Sequence, residues 1–555
     1  MKIKIRKGDT TSMNSPFTVI SMIKRVTTFL MIFFIVTGCK EEKVFEEPYA
    51  PGKQPLGVVL DNTQIPSPAS GITGTEVKIA ATGLLKYKDE LIFRFNGETA
   101  EIKEVTDEGI TVVVPESASS GVTSISIGDV VFFGPEFTVS GLISFDPTYT
   151  VVNGTDNAVY KSLKLSDGKY IMVGNFTNYD NKATIKRINR IVRTFSNGTY
   201  DASFRSGNGA NGALTSVVEI GNKFFIAGSF SGYDQRTENI SNITRIANNG
   251  IIDTMGIHTF RRPDQTDTIK YFPTFNGGVN AGINSLYEHS GKLLITGGFR
   301  YYVSRQYDKP NKLETRDSVI LDSIEIPQVA RLNTDGTLDK TYRFDAATGR
   351  GLTGGNGPLQ SFLHKDNALY NRLLVFGRFT AFDGAAKGYI TRLLANGNVD
   401  PDFNRGGTGA DGFIYSANYN ANTGKYVITG NFRAYNGKPV AGIAMLNSDG
   451  TLDESFTPKL IEGGTVDFAK QLNDGLIVVS GYFSTYGGVI RNGFMILDPS
   501  GNLANGYNAT GMFSGFLSDV FETTSEDGKR ALLLMGNFSM FNNEEVRNIT
   551  RIVLN

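Results

Sequence analysis

Three histidines, His258, His289 and His364, are the only imidazoles in 555 residues, so zinc or triad chemistry would have to begin with them. They are scattered, with no His-x-x-x-His pair to set two metal ligands on one face and no Gly-x-Ser-x-Gly elbow to present a nucleophile. Glycoside cleavage needs only two carboxyl groups roughly 5 to 10 Å apart. Aspartates such as Asp335, Asp449 and Asp453, however, recur at turn positions, where capping a turn accounts for them. The glycine-rich stretches 349–357 and 405–412 invite a phosphate-loop reading, but neither precedes a Lys-Ser or Lys-Thr pair or opens a helix. SDGTLDE (448–454) lacks the alternating oxygen ligands of a calcium loop. No metal or cofactor is expected.

Recognition chemistry is better represented. Segment 258–272 holds Arg261, Arg262 and Tyr271, and segment 300–328 holds Tyr301, Tyr302, Arg305 and Tyr307. Aromatic faces beside hydrogen-bonding arginines suit sugar rings, whose axial hydrogens leave apolar patches. The competing reading is that these tyrosines pack the two segments onto the underlying structure.

Both segments interrupt a repeat. A glycine, any residue, phenylalanine and then an aromatic three residues on recur from Gly174, Gly228, Gly297, Gly377, Gly430, Gly481 and Gly536, at spacings of 54, 69, 80, 53, 51 and 55 residues. The fifth copy is clearest. FIYSANY (413–419), KYVITGNF (425–432) and VAGIAML (440–446) read as strands, and Asp449-Gly450 turns the chain into LDESF (452–456). Four antiparallel strands per copy, repeated radially, predict an all-β chain dominated by a seven-bladed β-propeller. Tyr233, Tyr435 and Tyr486 belong to the repeated motif and read as packing. The last copy lacks its fourth strand, whereas FDPTY (145–149) has no preceding strands and matches VDPDF (399–403). Residues 145–149 are therefore expected to pair with the last blade and close the ring.

With that pattern in hand, residues 142–555 resemble the delta-sixty repeat family of β-propellers, which has a structural pattern and no agreed catalytic residues. Residues 22–39 combine a basic start, a short apolar run and small residues before Cys39, the only cysteine, and resemble a bacterial lipoprotein signal. The resemblance implies cleavage after 1–39 and lipid on Cys39. Residues 40–57 read as a charged tether, and Lys40-Glu41-Glu42 resembles the export signal of Bacteroidota surface lipoproteins. Residues 58–140 resemble an IPT/TIG immunoglobulin-like β-sandwich, a common spacer in such proteins.

Removing six basic residues and one acidic residue with the signal leaves 49 against 54, and no basic stripe supports nucleic-acid binding. The resemblance implies a noncatalytic protein, lipid-anchored and exposed at the outer membrane, that captures glycan or another nutrient beside an outer-membrane transporter complex. The alternatives are an adhesion or protein-assembly scaffold, and a propeller glycosidase or lyase.

Overall fold

The structure, a computed structural model, describes residues 56–184, 187–259, 268–309, 319–365 and 367–555. Cys39, Arg261 and Arg262 lie outside the described residues. Among those residues the regular elements are strands and three short 3₁₀ turns, and no helix is long and apolar enough to cross a membrane.

Two sheets open the described chain. One orders Val59–Leu60, Glu76–Thr82, Gly109–Val113 and Glu101–Val105; the other orders Ser70–Gly71, Val130–Val139, Gly121–Ile127, Leu91–Phe95 and Glu98–Thr99. Alternation sends Val77, Ile79, Phe93, Phe95, Ile110, Val112, Ile125 and Phe137 into a shared core.

Among the described residues seven larger antiparallel sheets follow in series, beside shorter ladders, with first strands starting at Val159, Leu214, Ile283, Leu359, Ile414, Thr465 and Ser514. Each first strand lies against that of the next sheet, and the strand from Ser514 returns to the one from Val159, so the order is circular. Within this hub a sheet edge leaves backbone carbonyls without partners, and side chains from the preceding sheet cover them. Thr215 Oγ1 donates to Ile283 O at 2.7 Å, Asn284 Nδ2 to Leu359 O at 2.8 Å, Asn418 Nδ2 to Ala469 O at 2.8 Å and Lys470 Nζ to Val520 O at 2.6 Å. Asp519 of the seventh sheet joins Lys161 of the first at 2.8 Å and Lys470 of the sixth at 3.1 Å.

The repeat motif has a physical explanation in each of its parts. A Cβ on Gly430 would lie 2.0 Å from Phe413 O, and the six equivalent glycines meet a carbonyl oxygen at 2.1 to 2.5 Å. In six sheets the first strand bulges just past the residue that faces this glycine. Phe432 and Tyr435 are buried in one cluster with Leu374 and Phe376 of the sheet before. The tyrosine hydroxyl also caps the glycine turn after the third strand of its own repeat: Tyr179 to Gly198 O at 2.6 Å, Tyr233 to Gly250 O at 2.9 Å, Tyr435 to Gly450 O at 2.8 Å and Tyr486 to Gly501 O. The fourth copy has Phe382, which has no hydroxyl. There Arg343 donates to the Gly397 carbonyl at 2.9 Å and lies over the Phe382 ring.

Four full strands per copy are not found in the first six sheets. After the third strand the chain returns by a single bridge, such as Leu393↔Val399 or Leu446↔Leu452. In the first five sheets an aspartate follows directly, and in the first it turns the chain sharply: Asp201 Oδ1 accepts the amide of Ser203 at 3.0 Å and its hydroxyl at 2.6 Å. An arginine of the third strand holds this aspartate, as in Arg193–Asp201, Arg245–Asp253, Arg331–Asp339 and Arg392–Asp400, all at 2.7 to 2.8 Å. A second cation, from the start of the second strand, reaches the same aspartate in Lys169–Asp201, Lys223–Asp253, Lys292–Asp339 and Arg372–Asp400. In the fifth sheet Met445 stands at the arginine position and this second cation, Lys425, alone pairs with Asp453.

The seventh sheet takes its fourth strand from upstream. Ile143, Ser144 and Phe145 pair antiparallel with Leu554, Val553 and Ile552. The paired segment is thus 143–145, whereas 146–149 forms the Asp-type turn, because Asp146 Oδ1 accepts the Thr148 amide at 2.8 Å. Arg551 pairs with Asp146 inside the protein, their side chains only 2% and 0% exposed.

Removing one member of a buried pair strands the other charge, so Arg551→Ala is expected to lower unfolding free energy by about 3–5 kcal/mol in urea. Arg547→Ala, at an exposed pair with Glu545, changes it by less than about 0.5 kcal/mol. Acid acts on the same turns. Burial raises the Asp201 carboxyl, but the Ser203 hydroxyl and amide and the Arg193 guanidinium outweigh burial and hold its pKa at about 2. A lowered carboxylate pKa contributes stability that is complete above the unfolded value, about 3.9, and lost as pH falls through the folded value. The stability difference between the native chain and Asp201→Asn, about 2 kcal/mol at pH 7, should therefore shrink between about pH 4 and pH 2 in urea titrations.

Candidate functional site

The two insertions are hairpins. Thr254–Thr259 pairs with Thr268–Pro273, and Tyr301–Gln306 pairs with Ile320–Glu325. They meet through Phe272 and Tyr307, whose rings stack at 4.7 Å between centroids, and Tyr307 donates its hydroxyl to Pro273 O at 3.3 Å. Arg236 Nη1 donates to Tyr271 O at 3.3 Å and ties the first hairpin to the second repeat.

The sequence candidates divide by burial. Tyr271 is 52% exposed, with Ile269 beside it at 53%, and its ring edge lies over Gly256, opposite it in the ladder. Tyr301 is 36% exposed, and the Arg300 guanidinium lies 5.8 Å from its ring centre. Tyr302, Arg305 and Tyr307 are buried. Tyr302 is the repeat tyrosine of the third copy and donates to Gly336 O at 3.0 Å, the same role as Tyr233 and Tyr435. GGFRYY contains two adjacent tyrosines, and only the register with Phe299 distinguishes the capping one. Tyr307 is the stacking residue between hairpins. Arg305 donates to Ser241 Oγ at 2.8 Å, while its Nε and Nη1 have no hydrogen-bond partner among the described residues, and burial lowers its pKa.

Beside the second hairpin is a cleft of about 530 Å³ between the second and third sheets. Asn211, Ser229, Ser231, Asn242 and Asn280 line it, with Val303 and Leu321 contributed by the hairpin. Leu321 is 60% exposed. Among the described residues the lining contains no ionisable side chain, only amides, hydroxyls and apolar surface that includes Phe230. Asn280 also positions Tyr301: its Oδ1 accepts the amides of Arg300 and Tyr301 at 3.0 and 2.9 Å. Asn211, Asn356 and Asp411 do the same for two amides each in their own repeats. These lining residues escaped sequence reasoning, although an Asn or Asp in each glycine-rich loop was the available signal. The stretches 349–357 and 405–412 are the loops that carry Asn356 and Asp411.

The buried histidines are structural. His289 contacts Asn371 O and Arg331, each at 3.2 Å, and His364 meets the Tyr426 hydroxyl at 2.7 Å. Burial, with Arg392 and Arg372 nearby, lowers the His364 pKa to about 3. His258 lies on the first hairpin. Among the described residues no group of three or more His, Cys, Asp or Glu is placed to hold a metal.

A chain built from repeated three-stranded sheets in circular order is a β-propeller. The model of a β-propeller domain of unknown function, DUF5122, matches residues 165–204, 327–342, 371–403, 421–456 and 472–503, and that of a further domain of unknown function, DUF5008, matches 35–135. No curated protein matches the chain. Similar solved structures include the WD40 β-propeller domain of Doa1, at 13% identity and TM-score 0.35, covering 75% of this chain and 97% of that one. An auxiliary nutrient binding protein from Bacteroides ovatus is 11% identical with TM-score 0.29, covering 88% and 96%. One from Bacteroides thetaiotaomicron is 11% identical with TM-score 0.32, covering 89% and 98%. At these TM-scores the likenesses carry no inference of function.

The Phe272–Tyr307 stack is expected to hold both hairpins in place. Tyr307→Ala should speed amide exchange in 268–273 and 301–306 by about tenfold while sheets five and six retain their protection.

Proposed function

We propose that the chain is a noncatalytic binding protein that captures glycan or another extracellular nutrient on a seven-bladed propeller. Lipid on Cys39 holds it at the outer face of the outer membrane, and an IPT/TIG-like sandwich sets the propeller away from the membrane beside an uptake system. The observation that carries this reading is the paired hairpins: the first exposes Tyr271 and Ile269, and the second exposes Tyr301 and Leu321 and lines, through Val303 and Leu321, an uncharged cleft rich in amides and hydroxyls. Aromatic and aliphatic surface next to neutral hydrogen-bonding groups matches a sugar ring, which presents both C–H faces and hydroxyls. Ligand sites commonly combine apolar walls with a few placed polar groups. Residues 261 and 262 belong to the same insertion and are read as further contacts.

The reading is tested with the soluble chain from residue 40 on a glycan array, followed by calorimetry on any hit. Tyr271→Ala and Tyr301→Ala should each weaken binding by about 1–2 kcal/mol without lowering the melting temperature. Absence of sugar binding across a broad panel refutes capture, and release of products from a polysaccharide refutes the noncatalytic assignment.

One observation favours a second reading, a protein-assembly scaffold. Ile92, Val131 and Phe133 share the outer face of one sandwich sheet and are exposed.

A further inference from the structure

Because the chain repeats, each position can be compared with its equivalents, and one position departs from the rest. Three residues before the third strand of each sheet stand Ile188, Ile240, Ile326, Lys387, Val440, Arg491 and Val546. The backbone environment is shared: the Lys387 amide donates to Thr380 O, Val440 to Arg433 O, Arg491 to Ser484 O and Val546 to Ser539 O. Five copies place an aliphatic side chain in or against the core there. Two copies have cations.

The role of one cation is plain. Arg491 donates from Nη1 and Nη2 to Ser117 O of the sandwich at 3.2 and 3.1 Å. Across the same cleft, Ser120 donates its amide and hydroxyl to Ala509 O at 2.9 and 3.0 Å. Arg491 also donates to the neighbouring Ile490 O, so in this copy the cation holds an oxygen of its own loop and one from outside the propeller.

Lys387 occupies the equivalent cleft between the fourth and fifth sheets, and its ammonium has no partner among the described residues. Nearby carboxylates are already held: Asp383 by Arg343, and Asp400 by Arg372 and Arg392. The cleft is a cavity of about 430 Å³ whose lining includes Lys387, Thr380, Asn404, Thr408 and Phe403 and no carboxylate. Its floor is close-packed glycine backbone, where a Cβ on Gly388 would lie 2.0 Å from Thr408 O. One cation, hydroxyls, an amide and an aromatic edge in a space of this size suit one or two sugar rings bearing an acid.

We propose that this cleft is a second binding site, separate from the hairpins, for an acidic sugar residue such as a uronate, with Lys387 pairing its carboxylate and the threonine hydroxyls and Asn404 facing its ring oxygens. Reversible binding is all that is assigned. The site stands whether or not the hairpins bind glycan.

Calorimetry on the soluble chain with trimers of galacturonate, mannuronate and glucuronate-containing glycans tests it. At least one trimer should bind, more weakly as salt rises. Lys387→Ile should weaken it by about tenfold or more, and Lys387→Arg should retain most of the affinity. Isoleucine is the residue of three sister repeats, so the fold should tolerate Lys387→Ile, and an unchanged melting curve checks this. Tyr271→Ala should leave acidic-sugar binding intact, and Lys387→Ile should leave neutral-glycan binding intact, which separates this site from the hairpins. Failure of every acidic trimer to bind, or affinity unchanged in Lys387→Ile, overturns the proposal. Equal, Lys387-dependent binding of a blocked hexaglutamate peptide or of inorganic phosphate overturns the sugar assignment.

Discussion

Asp146 and Arg551, 405 positions apart in sequence, form a buried ion pair on which the closed ring depends. Two charges removed from water are costly unless hydrogen bonds satisfy the remaining lone pairs and protons. Here Thr148 supplies its amide and hydroxyl to Asp146, while Ser196 O and the Thr148 hydroxyl receive the other arginine nitrogens. The same Arg–Asp contact within sheets one to four joins residues eight positions apart and costs little chain entropy. At the closure it brings together the two ends of the circle. The hub provides a second tie in Asp519, which draws Lys161 and Lys470 of its two neighbouring sheets together.

A repeated architecture makes departures from the repeat interpretable. Replacement of tyrosine by Phe382 is compensated by Arg343, whereas replacement of arginine by Met445 leaves Asp453 with Lys425, the second cation that the other copies also supply to this aspartate. Arg491 departs from the aliphatic pattern because the sandwich is docked there. The hairpins of the third repeat leave the sheets unchanged and add surface at their rim, which is where a scaffold can vary without losing its core.

The repeat glycines were legible because their cause is local and steric: each faces a carbonyl too close for a Cβ, so only one residue type is possible. The repeat tyrosines were legible as core for the same reason of periodicity. Tyr302 stands at the same spacing, three residues after Phe299, but the insertion that starts beside it and its identical neighbour Tyr301 obscure the match, and burial separates the two by which face of the strand each occupies. The stack of Phe272 on Tyr307 and the capture of Arg305 by Ser241 join residues from separate repeats, and no spacing in the sequence encodes them.

By itself the sequence determined an all-β chain with a propeller repeat, since glycine sterics, strand alternation and Asp-Gly turns act over a few residues. Only the tertiary structure decided which tyrosines face solvent, which cleft the second hairpin borders and that the Lys387 ammonium has no partner among the described residues. Those properties depend on side chains of neighbouring sheets, brought together by a closure between segments that are far apart along the chain.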